Sequence, residues 1–172
     1  DVGQNQLFAC RYFKFTKPMG WATSGGLGTM GYGLPAAIGA KAGNPESDVV
    51  LFSGDGGLQM NIQEFGTIME QGAPVKMILL NNNYLGNVRQ WQEMFFNRRY
   101  SFTPMANPDY ELIAKGYGIP ARTVVDRAEL DDAIREMLST PGPYLLQCAI
   151  KEEDNVLPMT PPGADVDKML LE

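Results

Sequence analysis

The chain has 172 residues, of which 44% are hydrophobic and 20% charged, an ordinary composition for one globular domain with its own core. The formal net charge of −6 argues against a nucleic-acid partner, because such proteins need a basic surface to neutralise phosphates. The absence of histidine excludes an imidazole base and leaves oxygen atoms to hold any metal ion.

Helix-like and strand-like segments alternate along the chain. Runs of apolar and β-branched residues predict strands at 48–53, 75–80, 122–125 and 144–150. Apolar stripes and small-residue packing predict helices at 33–42, 58–69, 86–96, 108–117 and 130–138, followed by an irregular tail. The alternation is typical of an α/β fold. We expect an open, mostly parallel sheet with helices on both faces, in a single domain over residues 1–172.

A polar loop follows each of the first two predicted strands, and one loop carries Asp55 while the other carries Asn82. Parallel strands end at the same edge of a sheet, so we expect these two side chains to lie together where open sheets bind ligands. A carboxylate and an amide oxygen suit Mg²⁺, and Gly56 and Gly57 let backbone N–H groups approach phosphate oxygens. Turn chemistry explains each motif alone, but the pair at this spacing favours a magnesium–diphosphate site.

The glycine-rich stretch 23–33 carries three glycines at the spacing of a dinucleotide-binding fingerprint. That fingerprint must follow a strand, and residues 19–22 make a poor one, so we expect no nicotinamide site. From the residues alone, Met30 in this stretch is interpreted as a core methionine.

The two cysteines, Cys10 and Cys148, fit no zinc pattern. We expect free thiols in a cytoplasmic protein, with a single disulfide as the alternative. No apolar run approaches the ~18–20 residues that span a bilayer, so no membrane segment is expected. The first residues lack the pattern of a signal peptide and begin abruptly, and we interpret the chain as part of a longer protein.

Five stretches resemble the C-terminal thiamine-diphosphate-binding domain of acetolactate synthase catalytic subunits. They are VGQ at 2–4, TSGGLGTMGYGLPAAIGA at 23–40, GDGGLQMNIQE at 54–64, NNNYLGNVRQWQ at 81–92 and LPMTPPGA at 157–164. The resemblance extends over nearly the whole chain, and its second stretch is long and highly specific.

The resemblance implies a set of site residues. The implied Mg²⁺ ligands are the side chains of Asp55 and Asn82 and the main-chain carbonyl of Tyr84. The implied cofactor-binding residues are Val2, Gly3, Gln4, Asn5, Gly28, Met30, Asp55, Gly56, Gly57, Asn82, Tyr84, Leu85 and Gly86. The residues implied on the substrate side are Asn87, Val88 and Trp91.

Three of these positions need comment. Asn5 stands where the family usually has a histidine beside the diphosphate, and Asn87 stands where it usually has an apolar residue. Met30 would support the bent cofactor. Trp91 matches a tryptophan of the family's substrate channel; without the resemblance it is interpreted as a helix residue packed on the core or in a subunit interface.

The resemblance also implies an activity. Two 2-keto acids, pyruvate with pyruvate or 2-ketobutyrate, would be condensed with loss of CO₂ in branched-chain amino-acid biosynthesis. The implied cofactors are thiamine diphosphate, Mg²⁺ and FAD. The implied partners are further full-length subunits, in a homodimer or tetramer, and a small regulatory subunit. The activating glutamate is expected in a separate domain, so the 172 residues alone are predicted to be inactive.

Two other functions remain as alternatives. One is a related thiamine-diphosphate enzyme, such as a pyruvate oxidase, a glyoxylate carboligase or a 2-keto acid decarboxylase. The other is a non-catalytic module that binds a magnesium–diphosphate ligand or pairs with a partner subunit. Trp91 and the stretch PMTPPGA at 158–164 favour the synthase over the related enzymes.

Overall fold

A computed structural model describes residues 1–171, which form a four-stranded sheet flanked by helices. The helices are α1 (Gln4–Tyr12), α2 (Gly33–Gly43), α3 (Asp55–Met60), α4 (Phe65–Gln71), α5 (Gly86–Phe95), α6 (Tyr110–Gly116) and α7 (Leu130–Ser139). The strands are β1 (Val49–Gly54), β2 (Val75–Asn81), β3 (Ala121–Val124) and β4 (Tyr144–Ala149). None of the helices in the described range is long and apolar enough to cross a lipid bilayer.

All four strands are parallel and lie in the order β1-β2-β4-β3, which confirms the predicted α/β fold. In the pairing of β1 with β2, Gly54 stands opposite Leu80. The residues that follow these two positions therefore leave the sheet side by side. This register brings Asp55 next to the asparagines at the end of β2.

Successive residues of each strand alternate between two cores, one on each face of the sheet. On one face, Met77 of β2 packs with helices α2, α4 and α6. On the other face, Ile78 packs in a cluster with Met137 of α7. Helix α1 contacts β1, and Phe13, which follows it, places its ring 6.4 Å from that of Phe52. Helices thus cover both faces, as predicted.

The single helix predicted over 58–69 is wrong. Helices α3 and α4 are separate, and the helical conformation is interrupted between them at Asn61, where φ is −133°. Nδ2 of Asn61 donates a 2.7 Å hydrogen bond to the carbonyl of Gly31, which ties the break to another loop. The break shifts the helical phase, so Ile68 is fully buried while Met69 is 54% exposed.

Two smaller differences from the sequence prediction concern helices. Helix α6 begins at Tyr110, so Pro108 is not in its first turn; Asp109 caps the helix by accepting a 2.9 Å hydrogen bond from the N–H of Leu112. Helix α1 was not expected. Residues 19–22 form a turn and irregular chain, which agrees with rejection of the dinucleotide fingerprint.

The two thiols provide a first test of this fold. Cys10 is exposed, Cys148 is buried in β4, and neither forms a disulfide. Burial raises the pKa of the Cys148 thiol, which lowers the fraction of reactive thiolate. We expect iodoacetamide to modify Cys10 rapidly in the native protein and Cys148 only after unfolding. Peptide mass spectrometry measures both rates, and equal native rates would contradict the placement of β4.

Candidate functional site

A cavity of about 340 Å³ opens where β1 and β2 end. It is lined by every residue predicted to bind the cofactor except Gly28. These lining residues are Val2, Gly3, Gln4, Asn5, Met30, Asp55, Gly56, Gly57, Asn82, Tyr84, Leu85 and Gly86. The volume lies within the roughly 300–1,000 Å³ of small-molecule sites. Asn87 and Val88, predicted on the substrate side, also line this cavity.

Asp55, the predicted carboxylate ligand, is 2% exposed at the start of α3. Its Oδ1 accepts a 3.0 Å hydrogen bond from the N–H of Gly56, and its Oδ2 accepts one of 2.7 Å from Nδ2 of Asn107. Burial raises the pKa of Asp55, and the two hydrogen bonds oppose that shift. A cation bound by this carboxylate would offset the cost of burying its charge.

Asn82, the predicted amide ligand, follows β2 and is 7% exposed. Its Oδ1 accepts a 3.3 Å hydrogen bond from the N–H of Tyr84 and retains a second lone pair. No three His, Cys, Asp or Glu side chains cluster within residues 1–171, so a cation here would rely on one carboxylate with amide and carbonyl oxygens. Such a donor set suits Mg²⁺, and the residues present therefore fit the predicted magnesium–diphosphate group.

Gly56, which lines the cavity, is closely approached by other side chains. A β-carbon at this position would lie 2.8 Å from Cδ2 of Leu85 and 3.1 Å from both Sδ of Met105 and Cε of Met30. Three side chains from different segments therefore approach the backbone at one point. A side chain at residue 56 would require the ends of these three side chains to shift.

Gly56→Ala is expected to weaken thiamine diphosphate binding by about tenfold or more and to lower the free energy of unfolding by about 1–3 kcal/mol. The added methyl group pushes Leu85 and Met30 into the cavity. Gly39→Ala, in α2 where a β-carbon meets nothing within 4 Å, is the matched control and should leave binding unchanged. Calorimetric titration and thermal unfolding of both variants measure these effects. Similar thiamine diphosphate affinities of the two variants would contradict the conclusion that the packing around Gly56 leaves no room for a methyl group.

The glycine-rich loop reaches the cavity through Met30 but not through Gly28, which is exposed with φ +63°. The carboxylate of Asp1 anchors this loop. Its Oδ1 accepts a 3.0 Å hydrogen bond from the N–H of Gly31, and its Oδ2 accepts one of 3.1 Å from the N–H of Gly33. Met30 is thus a cavity residue instead of a core methionine. The anchoring of its loop by Asp1 could not be predicted from local sequence patterns.

Asn5, at the position where the resemblance leads us to expect a histidine, lines the cavity. Its Nδ2 donates to the carbonyl of Asp1 at 2.8 Å and lies 3.5 Å from that of Phe52. Its Oδ1 would lie 3.0 Å from a β-carbon at Gly54. In this arrangement the amide nitrogen of Asn5 is used within the chain, where it links the N-terminal segment to β1.

A second cavity of about 630 Å³ adjoins the first, and Asn87 and Val88 line both. Trp91 lines the second cavity and is 40% exposed, with its ring 5.7 Å from that of Phe95. Trp91 therefore does not lie in the core, which removes one of its alternative interpretations. The three residues predicted on the substrate side lie along one face of α5, next to the predicted cofactor residues.

Sequence reasoning missed two residues that contact Asp55. Nδ2 of Asn107 bonds its carboxylate, and the hydroxyl of Tyr110 lies 3.1 Å from its main-chain oxygen. Both come more than fifty positions later in the chain, where an asparagine before a proline is typical of a helix start. Periodicity and spacing carry no signal for such a contact.

Comparisons with known proteins agree with this site. The family model "Thiamine pyrophosphate enzyme, C-terminal TPP binding domain" matches residues 1–148. The chain is 46% identical over 171 residues to the acetolactate synthase isozyme 2 large subunit of Escherichia coli (strain K12). It is 45% identical over 179 aligned positions to acetolactate synthase 2, chloroplastic, of Nicotiana tabacum, and 44% identical over 172 to the acetolactate synthase large subunit of Pyropia yezoensis.

In each of these three alignments 99% of the chain is covered. The chain spans 31%, 27% and 29% of the length of these relatives, respectively. The relatives are therefore much longer proteins, of which this chain corresponds to one part. Because one family model covers most of the chain, and the predicted diphosphate-binding residues gather in one cavity, the chain belongs to the thiamine pyrophosphate (thiamine diphosphate) enzymes and forms their C-terminal cofactor-binding domain.

Proposed function

We propose that the full-length protein containing this chain is an acetolactate synthase. It condenses pyruvate with a second pyruvate or with 2-ketobutyrate and releases CO₂, in branched-chain amino-acid biosynthesis. The observation that carries the proposal is the cavity at the ends of β1 and β2, where Asp55 and Asn82 adjoin the glycines of α3. Identities of 42–46% to acetolactate synthases over nearly the whole chain support this reaction over those of related enzymes.

The residues of this chain bind and orient the cofactor. Asp55, Asn82 and the carbonyl of Tyr84 would hold Mg²⁺, which would neutralise the diphosphate, and the N–H groups of Gly56 and Gly57 would be available to its oxygens. Met30 supports the organic part of the cofactor from the opposite loop. When bound, thiamine diphosphate supplies the carbanion stabilisation that 2-keto acid chemistry needs.

The face of α5 continues the site toward the substrates. Asn87 and Val88 line the passage between the two cavities, and Trp91 lines the outer one. We place the acceptor 2-keto acid along this face, where a large aromatic ring limits the size of the side chain that fits. Val88 and Trp91 are 49% and 40% exposed, which suits residues that a ligand or another domain covers.

The remaining parts of the enzyme lie outside this chain in the proposal. FAD, the activating glutamate and the subunit partners are contributed by the rest of a full-length homodimer or tetramer, with a small regulatory subunit as a further partner. An exposed free thiol at Cys10 supports a reducing compartment such as the cytoplasm.

The test is a product assay on the full-length protein with pyruvate, thiamine diphosphate, Mg²⁺ and FAD. Acetolactate is the expected product, and acetaldehyde, acetyl phosphate or tartronate semialdehyde in its place would identify a related enzyme and overturn the proposal. The isolated 172-residue chain, assayed in parallel, is expected to form no product. Failure of the full-length protein to bind thiamine diphosphate would favour a non-catalytic module.

A further inference from the structure

We propose that Asn107 is a positioning residue that fixes the magnesium-binding oxygens at the ends of β1 and β2. The inference rests on the proposed magnesium site and adds to it a residue from a third segment of the chain. Asn107 lies 52 positions after Asp55 and just before α6, outside the two loops that carry the predicted ligands.

The side-chain nitrogen of Asn107 lies among three oxygens. It is 2.7 Å from Oδ2 of Asp55, 3.0 Å from Oδ1 of Asn81 and 3.1 Å from Oδ1 of Asn83. Its two hydrogens can satisfy two of these acceptors at a time. One amide group therefore links the loop after β1 to the two asparagines on either side of Asn82.

The orientation of this amide is fixed from the core. Oδ1 of Asn107 lies 3.0 Å from the hydroxyl of Tyr110, a side chain with no exposed surface. The same hydroxyl is 3.1 Å from the main-chain oxygen of Asp55 and 3.3 Å from Oε1 of Gln59. An ionised carboxylate only accepts hydrogen bonds, so the amide nitrogen of Asn107 must face Asp55, and its oxygen then faces the phenol, which can donate to it.

Main-chain pairing holds the segment before Asn107 against the predicted metal loop. The N–H of Met105 donates to the carbonyl of Asn83 at 2.8 Å, and the N–H of Leu85 donates to the carbonyl of Thr103 at 2.9 Å. An asparagine before a helix usually caps it, but here Asp109 is the cap of α6. The side chain of Asn107 therefore does not cap α6, and its nitrogen is directed to Asp55.

The contact with Asn107 determines how the carboxylate of Asp55 can bind a cation. Oδ2 is engaged by a neutral donor, the amide of Asn107, while Oδ1 accepts a longer hydrogen bond of 3.0 Å from the N–H of Gly56. Oδ1 is then the oxygen left for one-point coordination, which the strict octahedral geometry of Mg²⁺ prefers. Ca²⁺ accepts two-point binding by a carboxylate, so Asn107 favours the smaller ion.

The experiment is calorimetric titration of the full-length protein with Mg²⁺ and, separately, with Ca²⁺, at saturating thiamine diphosphate. Asn107→Ala is expected to raise the apparent Kd for Mg²⁺ by about 10–100-fold, the range for outer-shell partners of a metal site. The Kd for Ca²⁺ should rise less, and excess Mg²⁺ should restore thiamine diphosphate binding. Asn44→Ala, an exposed asparagine that follows α2, is the matched control and should bind like the wild type.

A second variant covers the case in which Asn107→Ala fails to fold. Tyr110→Phe keeps the packing of the ring and removes the hydroxyl that orients the amide; it should raise the Kd for Mg²⁺ in the same direction by a smaller factor. Unchanged Mg²⁺ affinity in a folded Asn107→Ala protein, or in Tyr110→Phe where the first variant is unfolded, overturns the inference. Asp55→Ala separates the two claims, because Mg²⁺ binding that survives this change refutes the proposed magnesium site itself.

Discussion

Asp55→Asn is expected to remove Mg²⁺-dependent binding of thiamine diphosphate from the full-length protein while leaving its fold intact. The substitution keeps the shape of the side chain and removes its charge, which is the ligand that a hard cation requires. Loss of an outer-shell partner typically costs about 10–100-fold in metal affinity, so loss of this carboxylate should cost more than about 100-fold. Titration with thiamine diphosphate, with and without Mg²⁺, measures the effect.

The same change should not destabilise the metal-free protein. Burial raises the pKa of Asp55, so the folded protein binds a proton more tightly than the unfolded chain does. Between the ordinary value of 3.8 and the raised folded value, this group makes the free energy of unfolding fall as pH rises. Asp55→Asn removes that contribution, and its unfolding free energy at neutral pH should equal or exceed the wild-type value.

Asp132→Asn is the matched control for both measurements. Its side chain is 79% exposed on α7, where it pairs with Arg135, far along the chain from the cavity. We expect wild-type cofactor binding and a change in stability below ~1 kcal/mol, as for other exposed ion pairs. Retained Mg²⁺-dependent binding in Asp55→Asn would place the metal elsewhere. A strongly destabilised Asp55→Asn protein would contradict the conclusion that burial of the charged Asp55 carboxylate costs stability in the metal-free protein.

Much of the fold follows from local patterns in the sequence, because the positions of the strands and their burial depend on hydrophobic runs. The runs at 75–80 and 144–150 are nearly coextensive with β2 and β4, which occupy the centre of the sheet. The helix predicted over 58–69 failed for a physical reason. A hydrogen bond from Asn61 to a distant loop breaks the helix, and no periodicity in the segment encodes that contact.

In the candidate site, too, residues placed by local patterns could be predicted, whereas residues placed by contacts distant in the sequence could not. Asp55 and Asn82 could be predicted because each directly follows a strand, and parallel strands end together. Asn107 could not, since its contact with Asp55 depends on how a segment 52 positions away packs. The orientation of Asn5 was also beyond the sequence, because its amide nitrogen is directed to the carbonyl of Asp1 by the local course of the chain.

Arg89→Ala is expected to lower the free energy of unfolding by about 3 kcal/mol, the cost of breaking a buried ion pair. The side chain of Arg89 has no exposed surface and lies on α5. Its Nη1 is 2.7 Å from Oε2 of Glu93, and its Nη2 donates to Oδ1 of Asn155 at 2.6 Å. Removal of the guanidinium leaves both acceptors without this donor and leaves a void next to the C-terminal tail.

The tail should loosen in the same variant. Next to Arg89, the side chain of Gln90 accepts from the N–H of Val156 at 2.9 Å and donates to its carbonyl at 3.0 Å. Gln90 also accepts from Nε2 of Gln4, a cavity residue, at 2.9 Å. Hydrogen bonds through Gln90 therefore connect the tail to the predicted cofactor site. Because Arg89→Ala weakens the attachment of the tail, limited proteolysis after residue 156 should become faster in this variant.

Arg98→Ala provides the matched control, because Arg98 approaches the same carboxylate from solvent. Its Nη2 lies 3.6 Å from Oε1 of Glu93, and its side chain is 75% exposed. Exposed pairs contribute about 0–1 kcal/mol, so this variant should be nearly as stable as the wild type and should keep its tail protected. Urea unfolding measures the free energy of unfolding of both variants. An equal decrease in the two would show that burial does not determine the strength of the ion pair between Arg89 and Glu93.

The difference in the free energy of unfolding between the wild type and Arg89→Ala should depend on pH, and this dependence identifies the ion pair as its source. Burial opposes ionisation of Glu93, but hydrogen bonds from Asn155 and Arg89, with the charge of Arg89, outweigh it and hold the pKa below the ordinary 4.5. A carboxylate whose pKa is lower in the folded protein stabilises the fold at pH values above its pKa in the unfolded chain. That stabilisation is lost as the pH falls through its pKa in the folded protein. The gap between wild type and Arg89→Ala should therefore be constant near neutral pH and should narrow below about pH 4.5, whereas a gap due to the void alone would not change with pH.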